Sequence, residues 1–242
     1  MTGFSEPALV AVAHGSRDPA AVGTVRALLA AVRALRPGLA VRLGHVELNE
    51  PLLPDTLGAL AREGGAAVLV PLLYGRGHHV TRDIPETLAA APPLAARVAA
   101  PLGPHPLLAD ALAARLAESG AGDCDSVVLA AAGSRAARSA ADTEATAALL
   151  AARLGVPVRP AYASAAAPTV AAAARALAAR GHRRTAVACC FTAPGLFVRR
   201  TAAAARALGL PVAAPLGAHP ALARLVLRRY DEQLTAVHSP AA

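Results

Sequence analysis

The sequence predicts an α/β fold of two tandem, similar lobes, each a mostly parallel sheet flanked by helices. Short, continuously apolar runs alternate with longer Ala/Leu/Arg segments of helical character, as expected for parallel strands buried on both faces. The same succession of segments is written twice within 242 residues. The composition is 55% hydrophobic but only 2% aromatic, with no Trp and one Met, so Ala, Leu and Val must build the core. Such small side chains suit helices packed closely on strands.

Taken in order, "ALVAVAH" (Ala8 to His14) reads as a buried first strand. Asp18-Pro19 then supplies an N-cap followed by proline at the first helical position, and the helix is expected to run to about Leu35, ahead of Pro37-Gly38. "AVRLGHVEL" (Ala40 to Leu48) is the second strand, Leu52 to Glu63 a helix closed by Gly64-Gly65, and "AAVLVPLLY" (Ala66 to Tyr74) the third strand.

The second half repeats this order. "VVLAAAGSR" (Val127 to Arg135) mirrors "LVAVAHGSR" (Leu9 to Arg17), and "TAVACCFTAPG" (Thr185 to Gly195) mirrors "AVLVPLLYGRG" (Ala67 to Gly77). "APLGAHPAL" (Ala214 to Leu222) mirrors "APLGPHPLL" (Ala100 to Leu108). Residues 1–120 and 121–242 are therefore expected to form two copies of one lobe, joined near the small and acidic stretch "SGAGDCDS" (Ser119 to Ser126).

A formal charge of +8 raises the question of a polyanionic partner, yet all 24 basic residues are Arg and they are scattered. No aromatic stacking platform or nucleic-acid module accompanies them, so no nucleic-acid partner is expected. Cys124, Cys189 and Cys190 have neither metal-finger spacing nor an even disulfide count, which fits a reducing compartment. Cys189-Cys190 lies inside an apolar run and reads as buried strand. No signal peptide and no apolar stretch of ~20 residues is visible, so the expectation is a cytoplasmic chain with no membrane partner.

Two copies in one chain allow an internal comparison. His14 meets Ala132, Glu47 meets Ser164, and His78-His79 meets Leu196-Phe197. The framework is kept while the polar groups vanish together from the second copy. His14, Glu47 and one loop histidine each fall at or beyond the carboxyl end of a strand, the edge where open α/β sheets bind ligands. Two imidazoles and a carboxylate suit a borderline divalent ion such as Co²⁺, Fe²⁺, Ni²⁺ or Zn²⁺. A single His at a strand end more often caps or hydrogen-bonds, and His45, alternating with Glu47 in the strand, reads as structural. His105 and His219 recur within Leu-Gly-x-His-Pro in both copies and read as a shared turn.

"HGSRDP" (His14 to Pro19), "VELNEP" (Val46 to Pro51), "GHHVTRDIP" (Gly77 to Pro85) and "PLGPHP" (Pro101 to Pro106), in this order and spacing, resemble the sirohydrochlorin chelatases, the CbiX-type cobaltochelatases and siroheme ferrochelatases. The resemblance implies a class II chelatase fold: two similar α/β lobes, a tetrapyrrole cleft between them, and insertion of a divalent metal into sirohydrochlorin without ATP. It implies His14 and His79 as metal-binding residues and Glu47 as the acidic residue of the site. His78 departs from the family pattern. Metal, Co²⁺ or Fe²⁺ with Ni²⁺ as a further candidate, enters as substrate, and no permanently bound cofactor is expected. A polycarboxylate substrate calls for cations, with Arg17, Arg76, Arg82, Arg135 and Arg199 as candidates and Ser16 as a further donor. Gly75 and Gly77 are expected to let the loop backbone approach the macrocycle. Asp83 is expected to cap a helix beginning at Ile84-Pro85 and so to fix the direction of His79. One two-lobed chain suffices to form a cleft, so a monomer is expected. The alternative is a non-enzymatic metal or tetrapyrrole carrier on the same fold.

Overall fold

The computed structural model describes residues 6–235. The first sheet has strand order β2-β1-β3-β4, formed by β1 (Ala8–Ala13), β2 (Val41–His45), β3 (Ala66–Pro71) and β4 (Ala95–Val98), all parallel. The second has order β6-β5-β7, formed by β5 (Ser126–Ala131), β6 (Val158–Tyr162) and β7 (Thr185–Cys189), also parallel. Helices α1 (Pro19–Leu35), α2 (Leu53–Arg62), α3 (Ile84–Ala90) and α4 (Pro106–Glu118) belong to the first half of the chain. Helices α5 (Ala137–Leu154), α6 (Val170–Ala178), α7 (Leu196–Arg206) and α8 (Pro220–Thr235) belong to the second. Among the described residues, no helix is long and apolar enough to cross a membrane.

The local reasons match the sequence reading at α1, where the Asp18 side chain accepts from the Ala20 N–H and Pro19 opens the helix. Strands β2 and β3 stop three residues short of the expected ends, at His45 and Pro71. The residues beyond them leave the ladder and form the loops of the cleft. Strand β4 carries no sequence signature: "AARV" is a short edge strand with no buried apolar run, and its second-half counterpart shrinks to a bridge between Val187 and Val212.

The two halves exchange their last helices. Helix α4 packs on α5 and β7 of the second half, while α8 packs on α1 and β3 of the first. One core consequently runs through both halves, with Leu9, Leu28, Leu112, Leu129 and Tyr230 all fully buried in it. Each buried Leu of this kind contributes about 2 kcal/mol. Smaller cores back the outer faces of the sheets, around Leu57 and Ile84 in the first half and Val170 and Leu177 in the second. Two arginine clasps reinforce the exchange: Arg115 donates to the Leu216 carbonyl, and Arg229 to those of Pro101 and Pro104. Tyr74 and Thr192, equivalent positions in the two copies, bond to each other through their hydroxyls at 2.7 Å. The two copies therefore face one another about an approximate two-fold axis.

His105 and His219 are N-caps, each accepting a backbone N–H on Nδ1, from Leu107 at 3.1 Å and from Ala221 at 3.2 Å. Burial, followed by the charges of Arg229 and Arg115 respectively, lowers their proton affinity from the ordinary 6.5. A lowered value in the fold means that the unfolded chain binds more protons below about pH 6.5, so this contribution is present above that pH and lost as pH falls. Thermal stability should drop between pH 7.5 and 5.5. The His105→Asn/His219→Asn variant, which keeps an acceptor cap that does not titrate, should show a shallower drop by calorimetry.

Candidate active site

The carboxyl ends of both sheets open on one cleft of about 950 Å³, lined by residues of both halves. His14 follows β1 directly. Ladder-like bonds continue past the strand, Val46 N–H to the Ala13 carbonyl at 2.9 Å and Glu47 N–H to that of His14 at 3.0 Å, and they carry Glu47 to His14. Gly15 makes this approach possible: it sits at φ +103, and a Cβ there would stand 1.8 Å from the Glu47 carbonyl oxygen. The His14 Nδ1 lies 3.6 Å from Glu47 Oε1. His79 arrives from the loop after β3, its ring edge-on to that of His14 with centroids 4.6 Å apart. The three side chains are partly exposed, at 38%, 52% and 36% for His14, Glu47 and His79, so an ion in the cleft can reach them.

The Nδ1 of His79 is 2.5 Å from Asp83 Oδ2, and His78 Nε2 is 3.2 Å from Asp83 Oδ1. This corrects the expectation for Asp83. It does not cap a helix: its backbone is helical, at φ −62 and ψ −44, and its side chain makes no capping bond. Instead His79–Asp83 form a π-helical turn running into α3, in which the Ile84 N–H reaches the His79 carbonyl. Pro85 explains the widened turn, because it has no N–H for the Thr81 carbonyl and its ring would crowd that oxygen in a regular α-helix. Asp83 thus orients His79 by direct contact along one helix face. With Nδ1 of His14 turned to Glu47 and Nδ1 of His79 turned to Asp83, Nε2 of these two rings remains for an ion. Among the described residues no group of three or more His, Cys, Asp or Glu side chains is already arranged around a metal.

The candidate cations separate into those on the cleft and those off it. Arg17 and Arg135, equivalent in the two copies, line the cleft, are exposed, and have no partner among the described residues. Arg199 lines it too and pairs with the Asp18 carboxylate. Arg76 and Arg82 are not among the lining residues, contrary to expectation. The Arg76 guanidinium is taken by Asp142 of α5, and Arg82 pairs with Glu86 one turn on. Ser16 lines the cleft while shaping a turn: its hydroxyl accepts from Asp18 N–H, and its own N–H donates to Asn49 Oδ1 at 2.7 Å. Gly75 and Gly77 line the cleft too, but what they admit closely is the other half: a Cβ at Gly75 would meet Asp142 and Ser139 at 3.4 Å, and one at Gly77 Ser134 at 3.6 Å.

Further residues on or behind the cleft were not among the candidate site residues. Leu48 adopts φ +68 and is 48% exposed on the cleft wall, an unusual conformation for a leucine. Phe191 and Phe197, with ring centroids 6.3 Å apart, and Leu196 form an apolar wall, Leu196 and Phe197 standing where the first copy has His78 and His79. That substitution was readable from the repeat. Asp142 had no sequence signal. His45 is buried and bonded to the Pro51 carbonyl, and burial lowers its proton affinity. Burial also pushes the Cys189 thiol up to about 12 and raises that of Cys190, keeping both protonated.

The family model for CbiX matches residues 8–119 and again 126–233. A sirohydrochlorin cobaltochelatase of Methanococcus aeolicus is 34% identical over 82 residues, and one of Methanococcus maripaludis 37% over 82, each alignment taking in 34% of this chain. The chain spans 57% of the length of these curated relatives. Among solved structures, SirB from Bacillus subtilis with Fe³⁺ superposes with a TM-score of 0.80 at 22% identity, covering 96% of this chain and 97% of that one. CbiX, described as the terminal enzyme of siroheme biosynthesis in denitrifying bacteria, superposes with a TM-score of 0.70 at 26% identity, covering 93% and 98%.

Proposed function

The chain belongs to the CbiX family, and from that premise we propose that it is a sirohydrochlorin chelatase, inserting a divalent metal into the tetrapyrrole without ATP. The observation that carries the reading is the convergence of His14, His79 and Glu47 at the edge of one sheet, with Ala132, Phe197 and Ser164 in the equivalent places of the other. The curated relatives are cobaltochelatases, and SirB has been solved with iron and with cobalt. Imidazole ligands accept both metals, so Co²⁺ and Fe²⁺ are the proposed metal substrates.

Metallation exchanges two pyrrole N–H protons for one M²⁺, so the site must present the ion, let it shed water and receive protons. His14 and His79 offer two neutral nitrogens, a hold weak enough to release the ion to the macrocycle. Asp83 keeps the His79 ring aimed through its contact with Nδ1. Glu47, beside His14 and half exposed, takes a pyrrole proton or fills a coordination position before transfer. Arg17 and Arg135, one on each wall, pair with substrate carboxylates. Because both walls come from one chain, a single copy is proposed to act alone.

The test is anaerobic mixing of protein, sirohydrochlorin and Co²⁺ or Fe²⁺, followed by absorbance. A chelatase metallates faster than the protein-free control; a carrier binds the tetrapyrrole without accelerating the reaction. Within this assay, Arg17→Ala and Arg135→Ala should each raise KM for the tetrapyrrole about 10-fold, with a smaller change in kcat. An unchanged KM in the double variant would remove both arginines from the substrate site.

A further inference from the structure

We infer that Asp142, in the second half of the chain, is a positioning residue that grips the backbone of the histidine loop and thereby sets the metal affinity of the first half. The inference rests on the reading of His79 as a metal-binding residue. Asp142 lies on α5 with 2% of its surface exposed, and a carboxylate so buried is costly unless its oxygens are satisfied. Arg76 satisfies them from the other half. Oδ2 accepts the Arg76 backbone N–H at 2.7 Å and Nε at 3.0 Å, while Oδ1 accepts from the terminal guanidinium nitrogen at 2.6 Å.

A bond to the backbone N–H pins the path of the chain, whatever the arginine side chain does. From Arg76 the path to His79 is short and tied at each step. The Gly77 N–H donates to the Gly75 carbonyl at 2.9 Å, and the Gly77 carbonyl accepts the Thr81 N–H at 3.1 Å, opening the turn that carries His79 and Asp83. Gly75 lies against Asp142 itself, close enough that a Cβ would touch it.

The repeat shows that this grip is one-sided. The second-half equivalent of Arg76 is Pro194, which has no N–H to donate, and the first-half equivalent of Asp142 is Thr24, whose hydroxyl donates to the Ala20 carbonyl of its own helix. A tie serving only to join the lobes would be expected on both sides, as the arginine clasps of Arg115 and Arg229 are. The Asp142 grip occurs only where the loop carries histidines.

The test is titration of the full chain with Co²⁺ in the absence of tetrapyrrole, read from the cobalt absorption spectrum, alongside the melting temperature. Asp142→Ala should weaken Co²⁺ binding about 10-fold or more, as loss of a residue that orients a metal ligand does. Arg76→Ala keeps the backbone N–H bond but leaves the buried Asp142 carboxylate without its guanidinium, so it should lower the melting temperature while weakening binding about 5-fold or less. Arg76→Pro removes the donor, reproduces the residue of the second half, and should behave like Asp142→Ala, which keeps the inference testable where Asp142→Ala does not fold. Parent-like affinity in Asp142→Ala or Arg76→Pro, with a lower melting temperature, would overturn the inference by making Asp142 a structural tie. Parent-like affinity in His79→Ala would instead overturn the histidine reading, and this inference with it.

Discussion

Replacing His79 with alanine should slow metallation of sirohydrochlorin by more than about 100-fold, because loss of a partner that merely orients a metal ligand already costs 10- to 100-fold. His14→Ala should do the same. The two rings stand edge to face with centroids 4.6 Å apart and are the only pair that brings imidazoles from two different loops together in the cleft among the described residues. Tetrapyrrole binding, measured without metal, should survive both changes, since the arginines and the apolar wall remain. His78 is the control within the same loop. It is 67% exposed, its Nε2 faces the second oxygen of Asp83 and its ring lies 6.4 Å from that of His79 rather than against His14, so His78→Ala should stay within about 5-fold of the parent. An inactive His78→Ala beside an active His79→Ala would shift the assignment by one residue.

Gly15→Ala and Gly133→Ala should cost similar stability but differ in their effect on metal binding. Each glycine has a positive φ, +103 and +91, and each would place a Cβ against a carbonyl oxygen, at 1.8 Å from Glu47 and 1.9 Å from Ser164. The backbone has to move in both, at about 3 kcal/mol or more. For a chain of this size that lowers the melting temperature by on the order of 10 °C. Only at Gly15 does the displaced segment carry Glu47 away from His14. Co²⁺ titration well below the melting point should therefore find weakened binding in Gly15→Ala and parent-like binding in Gly133→Ala. Equal losses in the two variants would show that the Gly15 contact serves the fold alone.

Strands β1, β3, β5 and β7 were legible because their apolar runs are continuous, and α1 because Asp18-Pro19 marks its start, whereas β6, interrupted by Arg159 and Pro160, was not. The duplication was legible because three matched segments keep one order, and it exposed the site by what the second copy lacks. Strand β4 was not legible, since a short edge strand needs no apolar pattern. The role of Asp83 was half legible: its control of His79 was expected, but through a cap, whereas Pro85 breaks the regular helix and brings Asp83 beside the ring itself.

The sequence by itself determined the fold class and the repeat and singled out His14, Glu47 and one of the two loop histidines, the family resemblance pointing to His79, because hydrophobic periodicity, helix starts and chemically distinctive residues at strand ends are local properties of the chain. Only the tertiary structure decided which arginines face the cleft, which glycines admit the other half, and that Asp142 holds the histidine loop. Each of these depends on the exchange of α4 and α8 and the two-fold facing of the lobes, which bring residues 66 positions apart, Arg76 and Asp142, into hydrogen bonding. A contact across an interface leaves no periodicity in either strand of sequence that makes it.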